Sequence, residues 1–313
     1  MANAIKNVLA EFSQDIGDFY LKDNHVHVFD TEISTKQFKL DYVAQNFPVL
    51  IKNGIQNWPA VKKWNMNYFR HILGNKGVNV AITPNGYADG LAFKNNKEYF
   101  VMPYETQMPF SEFLNHLDNP RDNFICYIQT QNSNLLKDFP ELKNDVDLEL
   151  SWATSAFEGR LDAVNFWMGD HRAITSMHKD PYENIYCVVE GKKDFILIPP
   201  TDIWRIPYKN YPKGIYNINS QNQFTIDDVA ITEDSLDNSI SWIAIDPLNP
   251  DINLYPDYKD ANIFKVTVEA GDCLYLPSFW FHHVRQSHGC IAVNYWFDMQ
   301  FGLNYCVFKL LEN

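Results

Sequence analysis

Apolar residues in this chain recur with two different periods, and the change falls near residue 124. Close to the N-terminus, Ile5, Val8, Leu9 and Phe12 keep helical spacing, which predicts an amphipathic helix. "FPVLIKNGIQNWPAVKKW" predicts a short strand over residues 49–51, a glycine turn and an aromatic, proline-containing segment. "NMNYFRHILG" reads as a short helix closed by Gly74, and "VNVAIT" as a strand ending at the Pro84-Asn85-Gly86 turn. "PFSEFLNHLD" reads as a further helix with Ser111 as its N-cap.

Beyond residue 124 the apolar runs shorten. "FICYIQTQ", "AVNFWMG", "NIYCVVEG", "KDFILIPP", "IFKVTVEAGD", "CLYLP" and "CIAVNYWFDM" are β-rich and punctuated by Gly, Pro and Asp. Short strands at such intervals predict a sandwich or barrel. The chain therefore reads as mainly β with α. A helical and mixed N-terminal part (1–123) packs on a jelly-roll barrel (124–300), and a short C-terminal tail (301–313) follows. A polar, Pro- and Asn-rich excursion over 201–262 interrupts the barrel, and a loop of that length in a compact domain is expected to form a lid or binding wall.

Composition narrows the function classes. The 313 residues carry 26 Lys and Arg against 39 Asp and Glu, a formal charge of −13. Such a surface repels nucleic acid and anionic membranes and suits a basic peptide or protein partner better. The first twenty residues lack a signal-peptide core, and no apolar run is long enough to cross a bilayer. Five cysteines, at 126, 187, 273, 290 and 306, stand singly in apolar runs with no C-x-x-C. They read as reduced, buried thiols of a cytoplasmic or nuclear protein, without a sulfur-based zinc site.

The candidate chemistry lies in "SMHKDPYENIYCVVEGKKDF". His178 and Asp180, two apart on extended chain, share a face. An imidazole and a carboxylate make two-thirds of a facial metal site, although alone they read more readily as a surface hydrogen-bonded pair. Among the nine histidines, 25, 27, 71 and 116 precede the barrel, and 171 and 288 sit in turn-like sequence. That leaves His282 and His283, after the Gly-Asp turn, strand and proline of "GDCLYLPSFWFHHV", and spacing does not choose between them.

Together, "TSMHKD", the Gly-x-Lys of "EGKKDFILIPP", "GDCLYLPSFWFHHV" and "CIAVNYWFD" resemble the core of the Jumonji-C family of iron(II)- and 2-oxoglutarate-dependent oxygenases, and within it the lysyl-hydroxylase branch. "PVLIKNGIQNWPAVKKW" and "AITPNGYADG" extend the similarity over nearly the whole chain. The resemblance implies a double-stranded β-helix of cupin-like form, with His178, Asp180 and His282 as iron ligands and His283 packed behind. It implies that Lys193 pairs with the remote carboxylate of 2-oxoglutarate, Thr175 and Tyr127 supply hydroxyls, and Asn184 and Asn294 line the pocket. Dioxygen would be the second cosubstrate. Gln129 and Trp296 are candidate substrate contacts. Trp152, Phe166, Trp167, Trp280, Phe281 and Phe297 would complete an apolar shell.

Left to its neighbours, Lys193 reads as a solvated lysine like Lys192, since both faces of its strand hold apolar residues. The implied activity is C-3 hydroxylation of a lysine in a developmentally regulated GTP-binding protein, yielding succinate and carbon dioxide. Rival readings are N-methyl-lysine demethylation, a peptidase acting on basic tails, and a cupin that holds metal without turnover. A homodimer is expected to use surfaces other than added C-terminal helices.

Overall fold

The computed structural model describes residues 2–30, 33–221, 223–230 and 238–312. Two sheets face each other across an apolar interior. The larger has nine strands in the spatial order His27–Phe29, Val49–Ile51, Cys273–Leu276, Tyr182–Glu190, Cys290–Asp298, Leu161–Gly169, Ile125–Ile128, Gly77–Thr83 and Tyr104–Pro109. The smaller runs Phe264–Glu269, Lys192–Ile198, Phe281–Gln286, Ile174–His178 and Tyr87–Ala88. Helices cover the outer face of the larger sheet. The mainly β, jelly-roll expectation holds.

Strand alternation sorts the side chains between faces. On Lys192–Ile198, Phe195 and Leu197 enter the space between the sheets, while Ile196 and Ile198 join an outer cluster with Met177, Tyr258 and Phe308. On the larger sheet, Tyr127, Trp167, Tyr186 and Ala292 face inward. Cys126, Phe166, Cys187 and Val293 pack instead against Trp58, Trp64 and Phe110 of the N-terminal part. Trp152 and Phe297 belong to that same outer packing, and Phe281 to the cluster behind the smaller sheet. Four of the expected shell aromatics therefore lie away from the barrel interior.

Several local expectations are revised. Helix Met66–Leu73 begins where the Asn65 side chain accepts the Tyr68 amide at 3.0 Å, but Gly74 keeps right-handed backbone rather than a left-handed stop. Ser111 lies inside helix Phe110–Asp118, which Pro109 precedes, so it is not the cap. The excursion over 201–262 is not a loop. It contains the strands Tyr208–Ile218, Phe224–Asp228 and Ser239–Ile243, and residues 222 and 231–237 lie outside the described residues. The first two join Lys97–Met102 and Gly90–Lys94 in a third sheet, and Ser239–Ile243 pairs with the edge of Tyr208–Ile218.

The C-terminal stretch forms helix Leu303–Glu312, with Phe308 buried and stacked on Phe279 at 4.2 Å between ring centroids. Four of the cysteines are buried and unpaired, whereas Cys306 is exposed on this helix. No described helix is long and apolar enough to cross a membrane.

Candidate active site

Strand Ile174–His178 pairs antiparallel with Phe281–Gln286, and His178 stands directly opposite His282. Asp180 follows the strand's end, its carbonyl held by the Phe279 amide at 2.9 Å. The Asp180 carboxylate lies 3.6 Å from His178 Nε2 and 3.7 Å from His282 Nε2. One donor atom from each residue can be chosen so that all three lie within 4.8 Å of one another.

Both rings are fixed from behind, His178 Nδ1 on the Ser176 carbonyl at 2.8 Å and His282 Nδ1 on the Trp280 carbonyl at 3.0 Å. Those bonds place the proton on Nδ1 and leave the Nε2 lone pairs turned toward Asp180. Two neutral imidazoles and a carboxylate on one side of a cavity suit a divalent first-row metal with open positions. Burial opposes charging of either ring. For His178 the Asp180 charge overcomes it and raises the pKa, whereas His282, beside His178, is pushed down to about 4. Burial would raise Asp180, yet the two histidines hold it down at about 2.

His283 faces the other way, as alternation requires. It is buried with neither ring nitrogen hydrogen-bonded, and desolvation lowers its pKa to about 4. A second grouping joins the buried Asp170 to the exposed His171 and His288. Its members are already satisfied by one another, by Arg172 and by the Leu117 carbonyl.

The triad opens on a cavity of about 220 Å³ whose lining includes Tyr127, Gln129, Thr175, Asn184, Asn294 and Trp296. Behind the Tyr127 wall Lys193, only 1% exposed, donates to the Tyr127 hydroxyl at 3.0 Å and to Gln286 Oε1 at 2.7 Å. Its ammonium also lies 5.4 Å from the ring centroids of Tyr127 and Tyr186. Lys193 thus points inward while Lys192 is exposed, and it stands behind Tyr127 rather than on the cavity wall. Thr175 lines the wall, and among the described residues its hydroxyl has no protein partner.

Asn294 donates to Asn184 at 3.0 Å and accepts the Trp167 indole N–H at 2.8 Å, so the two asparagines are a mutually satisfied pair. Trp296 stacks on Tyr182 with centroids 5.0 Å apart, and its indole N–H has no hydrogen-bond partner. Gly169 is needed beside Tyr127. A methyl group there would meet Tyr127 Cδ2 at 2.4 Å and Gln286 Nε2 at 3.0 Å.

Sequence reading missed Gln286, Tyr186 and Asp89. The signal for two of them was strand parity. Gln286 shares a face with His282 and Val284, and Tyr186 shares one with Asn184. The third sheet contributes Phe100 and Trp242 to the cavity wall, rings 4.6 Å apart.

Comparison with known proteins gives the architecture its relatives. The cupin-like domain family matches residues 35–303. The human bifunctional peptidase and (3S)-lysyl hydroxylase JMJD7 is 43% identical, over 88% of this chain and 85% of that protein. JmjC domain-containing protein E of Dictyostelium discoideum is 35% identical, over 96% of this chain and 95% of that protein. Lysine-specific demethylase JMJ32 of Arabidopsis thaliana is also 35% identical, over 91% of this chain and 85% of that protein. With a family match across the whole barrel and such identities over most of its length, the chain belongs to the Jumonji-C family of cupin-like, iron(II)- and 2-oxoglutarate-dependent oxygenases.

Proposed function

We propose that this protein hydroxylates a lysine side chain of a partner protein at C-3, the partner being a GTP-binding protein of the developmentally regulated type. The observation that carries the reading is the pairing of two unlike groups around one cavity. A His178–Asp180–His282 donor set lines it together with the Tyr127 and Thr175 hydroxyls, and a buried ammonium is bonded to Tyr127 from behind. The similarity to a human protein named as a (3S)-lysyl hydroxylase supports the choice of side chain and carbon.

In this reading His178, Asp180 and His282 hold Fe(II). The ion, with 2-oxoglutarate and dioxygen, supplies oxidation of a C–H bond coupled to release of succinate and carbon dioxide. The protein's own part is placement. Lys193, Tyr127 and Thr175 hold the remote carboxylate of the keto acid, and a charge-assisted contact there fixes its orientation as well as its affinity. The Asn184–Asn294 pair keeps the middle of the cavity polar yet satisfied. Gln129 and Trp296 border the bound peptide, and Trp167, Trp242 and Trp296 keep bulk water away.

Intact-mass measurement of such a GTP-binding protein after incubation with enzyme, Fe(II), 2-oxoglutarate and oxygen tests this. Wild type should add one oxygen per target lysine, and His178→Ala should add none. Continued oxidation by the His178→Ala variant would overturn the metal assignment. N-methyl-lysine demethylation is the second reading, favoured by the name of the Arabidopsis relative. It requires formaldehyde from a methylated peptide and no lasting mass gain on unmodified lysine.

A further inference from the structure

Two carboxylates line the cavity, and their surroundings differ. Asp180 lies between the two histidines. Among the described residues no lysine, arginine or side-chain hydrogen-bond donor reaches the Asp89 carboxylate, and His178 is the cavity residue whose charge would favour it. It is only half exposed, and apart from the His178–Asp180–His282 group it faces a space walled mostly by aromatics, amides and hydroxyls. A carboxylate drawn out of water without a donor to meet it is costly.

The backbone adds a second cost. Asp89 has φ 54°, a left-handed conformation uncommon outside glycine. The neighbourhood holds it there. Thr175 pairs with Ala88, and the Ser176 hydroxyl donates to the Asp89 carbonyl at 2.7 Å. Immediately afterwards the chain enters Gly90–Lys94, the start of the third sheet. A residue held in left-handed backbone that presents a carboxylate without a hydrogen-bond donor into a cavity contributes nothing evident to folding, and such combinations cluster at ligand sites.

We infer that Asp89 is a specificity-determining residue that accepts the positively charged end group of the substrate side chain. The inference rests on the proposed lysyl-hydroxylase reading and adds the group that reads the lysine. Asp89 lies beside Ser176, and His178 is two residues further along that strand, roughly 7 Å away. An extended lysine spans roughly 5 Å from its β-carbon to its ammonium, by ordinary bond lengths. With a charge-assisted hydrogen bond added, its C-3 position comes beside the His178–Asp180–His282 end. Phe100 and Trp242 flank the intervening methylenes, an apolar sleeve that leaves the ammonium one strong acceptor.

The test uses the full-length iron-loaded enzyme and two peptides from the target GTP-binding protein, one with its lysine and one with norleucine, the uncharged analogue, in its place. Asp89→Asn keeps size and tolerates the left-handed backbone. It should raise KM for the lysine peptide at least tenfold and leave norleucine-peptide turnover and peptide-free 2-oxoglutarate consumption within twofold. Asp89→Glu should recover part of the lysine preference. Equal losses on both peptides, or no loss on either, would overturn the assignment. Failure of wild type to oxidise either peptide while still consuming 2-oxoglutarate would instead overturn the lysyl-hydroxylase reading on which it stands.

Discussion

Lys193 Nζ donates to Gln286 Oε1 at 2.7 Å, and the same amide donates through Nε2 to the Asp170 carbonyl at 3.0 Å. Gln286 is therefore a fixed bracket, one end anchored on backbone and the other on a buried ammonium. Replacing it with leucine removes an acceptor from an ammonium whose one other hydrogen-bond partner among the described residues is the Tyr127 hydroxyl. We expect Gln286→Leu to raise KM for 2-oxoglutarate about tenfold, equivalent to about 1.4 kcal/mol, with kcat little changed. Gln286→Glu should do more harm, because a carboxylate there neutralises the ammonium proposed to meet the cosubstrate. Initial rates across 2-oxoglutarate concentrations check both, and an unchanged KM in the leucine variant would refute the bracket role.

The neighbouring histidines should behave oppositely. His282 meets His178 and Asp180, whereas His283 is buried on the far side of the strand with both ring nitrogens unbonded. Leaving polar atoms buried without partners costs about 1–3 kcal/mol. His283→Leu should accordingly be neutral or stabilising by about 1 kcal/mol in urea unfolding and keep its activity. His282→Leu should lose Fe(II) binding by isothermal titration. A His283→Leu variant that lost iron would contradict this division of labour.

Away from the cavity, Asp145 gathers three donors: Lys63 Nζ at 2.6 Å, Tyr68 hydroxyl at 2.7 Å and Trp64 indole N–H at 3.1 Å. Burial works to raise its pKa, but these bonds win and lower it. A depressed folded-state pKa means that stability from this group is present at neutral pH. It is lost as pH falls below the ordinary carboxylate range through the folded value. Asp145→Ala should cost about 3 kcal/mol at pH 7, and the gap from wild type should narrow as pH falls below the ordinary carboxylate range. Denaturant titrations at several pH values measure this. A gap that stayed constant with pH would mean the loss is one of packing alone.

The C-terminal helix reaches the metal end of the site indirectly. Phe308 stacks on Phe279, and the Phe279 amide holds the Asp180 carbonyl. Lys179 also pairs with Glu312 at 3.3 Å. Phe308→Ala should cost about 3–4 kcal/mol and weaken Fe(II) affinity, since Phe279 has φ 63° and loses the ring that holds it. Iron titration of the folded variant decides; wild-type affinity would show that Asp180 is positioned without the helix.

How much of this was legible beforehand varies with the physics of each element. His178 and Asp180 stood out because two side chains on extended chain share a face at a spacing of two. The jelly roll was legible because its strands are short and their turns carry Gly, Pro and Asp. Lys193 was ambiguous because Lys192–Ile198 is buried on both faces, so hydrophobic alternation could not mark which side faced the cavity. Gln286 was readable in principle from its parity with His282, but an isolated amide gives no chemical signal. Tyr208–Ile218 looked like loop because Pro212 and its asparagines hide the pattern, although a parallel neighbour, Lys97–Met102, orders it as a strand. Asp89 could not be found from sequence, since what distinguishes it is a carboxylate that no side-chain donor meets.

The wall carrying Phe100, Trp242 and Asp89 belongs to segments at the junction with the third sheet, not to the strands that bear His178 and His282. In the proposed reading, oxidation and recognition of the lysine's charged end are consequently mounted on separate parts of the polypeptide. Substitutions near 88–102 and 239–243 should then change which side chain is accepted while leaving the His178–Asp180–His282 end intact.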